Sequence, residues 1–273
     1  MADGFPADSV PADRPLTDEE FGVLQHYIDA IMERMAADRF TLVVERDFAG
    51  LMEFLESVQS PLRNPTFDPS QSDLSRDAFW LRVIDENGTT VACHAERAFE
   101  IDSYDELVRS GKLWHRDGMT WGGERVPELT IKKSMDQING RVTHAGSMWV
   151  RPAARKRGLS LYLPYLSRAL FLRNYEVRYL SGFVLSSLAG SRVPRTAYGF
   201  PHMEEYLSGW FPPTRRHEEK VFICYQNRVE AMERFRALPF HPEFPVQAPA
   251  AEAKVAVPSD LEVGKRPRVD ADN

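Results

Sequence analysis

The sequence has little of what would place it outside an ordinary folded domain. Two cysteines, Cys93 and Cys224, are present, and they show no CxxC spacing. That argues against a disulfide framework and suggests two buried thiols in a reducing compartment. The seven histidines form no HExxH or CxxC…HxxxH arrangement, so no built-in metal site is expected. No apolar run reaches the roughly 18–20 residues of a membrane span. The first fifteen residues lack the basic and apolar regions of a secretion signal, so a cytoplasmic protein is expected. Positive charge is not in excess: 34 Lys and Arg against 40 Asp and Glu give −6. That balance disfavours a general nucleic-acid binder. Hydrophobic residues, at 43%, suffice for a core.

The pattern along the chain supplies the elements. Thr17-Asp-Glu-Glu20 is a capping box, and Phe21, Leu24, Ile28, Ile31, Met32 and Met35 continue it at helical spacing. A β-rich run at 40–45 follows, then an amphipathic helix at 48–58. Two strands at 78–85 and 90–101 flank Glu86-Asn87-Gly88, a hairpin signal. A short helix is expected within 105–113. The segment at about 102–141 reads as an insertion, because residues 115–140 have no clear period. Next come a strand at 142–150, a helix at 159–174, a strand at 177–185, a small-residue stretch to Tyr198-Gly199-Phe200, a strand at 220–225 and a helix at 228–235. The expected class is α/β with α+β character: a mixed central sheet flanked by helices. Residues 1–15 are expected to be flexible, 16–238 to form one domain, and 239–273 to be a disordered tail rich in Pro, Ala and charge. Within that tail, Lys265-Arg266-Pro267-Arg268 is a basic cluster read as part of the solvated tail.

The chemistry is carried by Val150-Arg-Pro-Ala-Ala-Arg155-Lys-Arg-Gly158-Leu-Ser160, which joins a strand to a helix. Backbone N–H groups converging at a helix start make an anion site. Gly158 permits close approach, Ser160 is small, and Arg155, Lys156 and Arg157 add positive charge. The segment resembles the cofactor motif of the GNAT superfamily of N-acyltransferases. In that family a strand ends in Val-x-Pro and runs into Arg/Gln-x-x-Gly-x-Gly/Ala. The following strand and Tyr198-Gly199-Phe200 are similar to the second half of the family pattern. The resemblance covers about 142–200 by motif and 78–226 by element order. It departs at Arg195, which stands where the family commonly has a tyrosine, and at Pro194, which interrupts the helix.

The resemblance implies a GNAT-like fold and transfer of an acyl group from acetyl-CoA or another acyl-CoA to an amine. It places the cofactor on Met148, Trp149, Val150, Arg155, Lys156, Arg157, Gly158, Leu159 and Ser160. A bulged strand before the turn would free N–H groups such as that of Val150 for the acyl carbonyl. Acyl transfer needs a base for the amine and an acid for the thiolate. His144 lies six residues before Val150, the offset of the glutamate base in the histone-acetyltransferase branch, and its imidazole suits the role. Glu96 and His94 are further candidates on the preceding strand, and Tyr198 is the candidate acid. By strand alternation His144, Gly146, Met148 and Val150 are expected to share a face, with Gly146 leaving room beside the thioester. Trp80, Trp114, Trp121, Trp149 and Trp210 read mainly as core, with an acceptor pocket as the other use. The acceptor is expected to be a small-molecule or peptide amine, and a homodimer stays open. Two other readings fit the motif: a GNAT-like module without catalysis, favoured by Arg195 and Pro194, and a nucleic-acid-modifying enzyme, favoured by the basic run 151–157 and opposed by the net charge.

Overall fold

The computed structural model describes residues 15–60, 64–74, 77–118, 120–121, 124–125, 129–213 and 216–237. Most of the expected flexible N-terminus and the tail from 239 lie outside the described residues.

Helix α1, Asp18–Ala37, begins on its capping box. Thr17 Oγ1 accepts from the Glu20 N–H at 3.2 Å, and Glu20 accepts from the Thr17 N–H at 3.0 Å. Its buried stripe, Leu24, Tyr27, Ile28, Ile31 and Met35, packs on the long helix at 159–174 described below. Strand β1 is Thr41–Glu45 and α2 is Phe48–Ser57. Strands β2, Ala78–Ile84, and β3, Thr90–Ile101, form the expected hairpin. Its turn is held by Asp85 Oδ1, which accepts from the N–H groups of Asn87 and Thr89, with Gly88 at φ +75°.

The expected insertion carries α3, Tyr104–Arg109, two-residue strands β4, Thr120–Trp121, and β5, Glu124–Arg125, and β6, Leu129–Ile131. It is built into the fold: Tyr104, Leu107, Val108, Leu113 and Trp114 belong to a buried cluster with Tyr206, Phe211 and Ile223. Then come β7, Gly140–Val150; α4, Leu159–Asn174; β8, Tyr179–Leu185; the short helices α5, Ser186–Ala189, and α6, Val193–Thr196; β9, His202–Phe211; β10, Arg216–Asn227; and α7, Arg228–Ala237.

One eight-stranded sheet runs β1-β2-β3-β7-β8-β10-β9-β6. Its pairings are antiparallel apart from β7 with β8. A right-handed helical crossover through α4 is what a parallel neighbour requires. This is the mixed sheet flanked by helices that the GNAT resemblance implies. Strand β9 and the edge strand β6 were not expected from the sequence, and β10 starts four residues earlier than the strand expected at 220–225. No described helix is long and apolar enough to cross a membrane.

Candidate active site

The parallel seam between β7 and β8 is short. It pairs Val142 with Tyr179 through Ala145 with Gly182 and stops there. Beyond it, β7 stays with β3 as far as Ala92 and Val150, while β8 stays with β10 as far as Leu185 and Val221. The sheet therefore opens into a wedge. Among the described residues, Gly146–Val150 has no strand partner on the edge facing β8.

The cause lies partly in β7 itself. Its register against β3 shifts between Cys93 and Ala95, so that Gly146 sits opposite Ala95 and Trp149 opposite Cys93. Ser147 and Met148 together face His94, and Ser147 takes a left-handed φ of +51°. This is a bulge, two residues against one. It reverses the alternation of side chains and overturns the expected shared face. His144 and Gly146 point to the α2 and α3 side, where Gly146 lies under Asn64 and Phe67. Met148 and Val150 pack on the α4 side. Gly146 borders the cavity described below, but the side where its Cβ would point is filled: a Cβ there would meet Asn64 Nδ2 and Phe67 Cε2 at 2.9 Å. Arg97 holds that cover in place by donating to the carbonyls of Thr66, at 3.1 Å, and Asp73, at 2.9 Å.

On the α4 side the wedge encloses a cavity of about 330 Å³. Met148, Phe183 and Leu188 are among its walls, and His94, Arg168, Tyr198 and Cys224 supply its polar groups. The strand-to-helix turn follows β7. Lys156 and Gly158 both take left-handed φ, +65° and +81°. Gly158 is the N-cap of α4 and has no side chain to close the helix start. Among the described residues, no group accepts from the N–H of Arg157, Gly158, Leu159 or Ser160. Alternating backbone hands with free N–H groups make a concave anion cradle. Arg155 and Lys156 are exposed beside it. Arg157 turns away, donating to the Asp38 carbonyl and lying 4.0 Å over the Phe40 ring. A Cβ on Gly158 would sit 2.6 Å from the Tyr162 ring, so no side chain fits without disturbing the helix start. The helix begins at Leu159, as expected, and keeps Pro164 in its interior.

The acid–base candidates fall on different faces. His144 is 1% exposed and is not part of the cavity wall. Its Nδ1 is 2.8 Å from the Tyr104 hydroxyl, and Phe183 stands edge-on at 4.8 Å. Burial lowers its pKa to about 3, helped by the positive charge of Arg97. Glu96 is buried on the other face. It accepts from Thr143 Oγ1 at 2.5 Å and from the Ser167 hydroxyl. Burial raises its pKa, against the pull of those two hydroxyls and of Arg168. Tyr198 is half-buried on the cavity wall, and burial raises its pKa, so the phenol keeps its proton. His94 also lines the cavity, with its pKa lowered to about 3 by burial and by Arg168. Trp149 turns to the α2 side, edge-on to Phe54. Trp80 and Trp114 are buried in packed clusters.

Arg168 escaped the sequence reading. A lone arginine within Leu163, Leu166, Ala169 and Leu170, on a helix otherwise apolar at those positions, was the available signal.

No family model and no curated protein matches this sequence. Among solved structures, it is similar to NAA60 of Arabidopsis thaliana in complex with acetyl-CoA, at 11% identity over 69% of this chain and 99% of that one, TM-score 0.44. It is similar to a variant of the spermidine N-acetyltransferase SpeG of Vibrio cholerae, at 12% identity over 72% and 98%, TM-score 0.42. A third likeness is to AAC(6')-Ib in complex with ribostamycin and coenzyme A, at 16% identity over 72% and 97%, TM-score 0.40.

Proposed function

We propose that this chain is an acyl-CoA-dependent N-acyltransferase, its catalytic domain spanning 16–238 with 102–141 as an insertion. The observation that carries the reading is the wedge between β7 and β8, with an unpaired strand edge along one side and an anion cradle where β7 leaves the sheet. The cradle suits the pyrophosphate of coenzyme A, with Arg155 and Lys156 beside it. The thioester arm then lies along Met148 and the free edge of β7, whose N–H groups polarise the acyl carbonyl.

The amine nitrogen attacks that carbonyl, the carbon–sulfur bond breaks, and the thiolate takes up a proton. Tyr198 supports the last step, because it lines the cavity and stays protonated. With the cofactor on the α4 side, His144 lies on the opposite face, covered by Tyr104 and Phe183. His144 stays neutral at physiological pH, but burial that holds its pKa to about 3 also makes it a weak base, so its part in proton removal is the first point to test. Glu96 is the second candidate for the base. The acyl group is acetyl or longer, and the acceptor is a small-molecule or peptide amine.

Calorimetry with coenzyme A and acetyl-CoA, followed by thiol release over a panel of amines, tests the reading. Both ligands should bind, and Arg155→Glu with Lys156→Glu should abolish the binding without lowering stability, since both side chains are exposed. A wild-type chain that binds neither ligand would end the proposal. With an accepted amine, His144→Ala should lower kcat roughly 10²–10⁴-fold while acyl-CoA affinity holds. A kcat that holds in His144→Ala would shift the role to Glu96.

A further inference from the structure

The cavity wall holds a cation that makes no direct ion pair among the described residues. Arg168 is 2% exposed and keeps its charge, as guanidinium groups do. Its Nε donates to the Pro164 carbonyl at 2.9 Å and its Nη2 to the Tyr198 carbonyl. The guanidinium carbon sits 4.5 Å over the Tyr165 ring and 4.7 Å over the Phe200 ring. Two faces and two nitrogens are thus satisfied, which fixes the group. The third nitrogen, Nη1, is buried and has no partner, and Arg168 lines the cavity. His94, 4% exposed on the same cavity wall, has no partner on either ring nitrogen.

Unsatisfied polar atoms are costly to bury, and an unpaired charge more so. Nearby groups do not remove the deficit. Glu96 is committed to the hydroxyls of Thr143 and Ser167, and among the described residues it makes no ion pair with Arg168. Arg234, bonded to the Tyr165 hydroxyl at 2.7 Å, adds a second positive charge to the neighbourhood. The cavity is therefore hollow, walled mainly by apolar groups, and biased towards an anion at one end. A neutral acyl tail would leave Nη1 and the charge unmet. A carboxylate would accept from Nη1 and from the one N–H of a neutral His94, and would neutralise the guanidinium.

We propose that the cavity beyond the thioester is an acyl-specificity site in which Arg168 and His94 bind the free carboxylate of a short dicarboxylic acyl group carried on coenzyme A. This deepens the acyl-CoA reading and rests on it.

The test compares coenzyme A, butyryl-CoA and succinyl-CoA on the full chain by calorimetry. The last two share a four-carbon acyl chain and differ in the terminal carboxylate. Succinyl-CoA should bind about tenfold or more tighter than butyryl-CoA, the worth of a buried charge-assisted hydrogen bond. Arg168→Met should erase that preference, and His94→Leu should reduce it even if Arg168→Met fails to fold. If coenzyme A binds but butyryl-CoA equals or surpasses succinyl-CoA, the carboxylate site is wrong and the acyl-CoA reading stands. A preference that persists in Arg168→Met also overturns the site. If coenzyme A itself does not bind, both readings fall.

Discussion

The two faces of the sheet carry two buried histidines, His144 on β7 and His94 on the neighbouring β3, that burial treats alike and packing treats differently. His144 and His94 are both held at a pKa of about 3, chiefly by loss of solvent. Yet His144 sits in a filled aromatic cluster with a 2.8 Å bond to Tyr104, and Ser181 extends that bond at 3.1 Å. His94 has no bond on either nitrogen and borders a hollow. The difference follows from where the sheet parts. As far as Ala145, β7 has neighbours on both edges; beyond it, one edge is free. A bulge at that point sends the later side chains to the opposite face from the earlier ones. One strand thus finishes a packed layer and then walls a binding space.

The sharpest way to break this comparison is to truncate each histidine. His144→Ala should cost about 2–4 kcal/mol, because it empties a packed site and strips Tyr104 of its partner. His94→Ala should cost less than about 1 kcal/mol, since it removes two unsatisfied nitrogens from a wall that is already hollow. Urea unfolding of the two variants decides it. Equal losses would mean that the α4 face is as tightly packed as the other.

A second contrast uses glycine. On the closed face, Gly146→Ala drives a methyl group against Asn64 and Phe67 at 2.9 Å, and Asn64 and Phe67 are both buried. A loss of about 1–3 kcal/mol is expected. At the solvent-exposed end of α5, Gly190 has φ −71° and open space where a Cβ would go. Gly190→Ala should be neutral or stabilise by up to about 1 kcal/mol. Thermal melts of both variants measure this, and a harmless Gly146→Ala would show that the Asn64–Phe67 cover is loose.

Most of the fold could be read where local signals and burial agree. The expected bounds of β3 and α4 coincide with the observed ones, because continuous apolar patterning runs to clear breakers at both ends. Strand β9 was hidden because Glu204, Glu205, Ser208 and Gly209 interrupt its apolar pattern. Backbone pairing with β10, and with β6 at its far end, holds it in the sheet. The shape of the strand-to-helix turn at 155–160 was legible because its free N–H groups need glycine and a helix start, both of which leave a mark in sequence. The bulge left none: Ser147 at φ +51° carries no side-chain preference that announces it. Without the bulge, alternation put Met148 on the same face as His144. The hollow was equally silent, since nothing in the order of residues says that Arg168, His94 and Cys224 meet around one space.

The smallest effect asked of the comparison is a slope. An unfolded histidine takes up its proton near pH 6.5, whereas native His94 and His144 resist until about pH 3. Between those values the unfolded chain binds more protons, so stability falls as pH falls. Well inside the window each histidine contributes about 1.4 kcal/mol per pH unit. Glu96, whose pKa is raised in the folded state, acts with the opposite sign: its stabilising effect is lost as pH rises from the ordinary carboxylate range to the raised value. The histidine terms are therefore read as differences between wild type and each variant, measured by urea unfolding from pH 6.5 to 4.5. His144→Ala should flatten the slope by about 0.7 kcal/mol per pH unit at about pH 6.5 and by about 1.4 kcal/mol per pH unit below about pH 5.5. His94→Ala should do the same if the hollow stays dry. Water entering it would restore part of the hydration of His94, raise its pKa and shrink its share of the slope, while His144, behind its aromatic cover, would keep its own. An unchanged slope in His144→Ala would mean that the closed face is not closed.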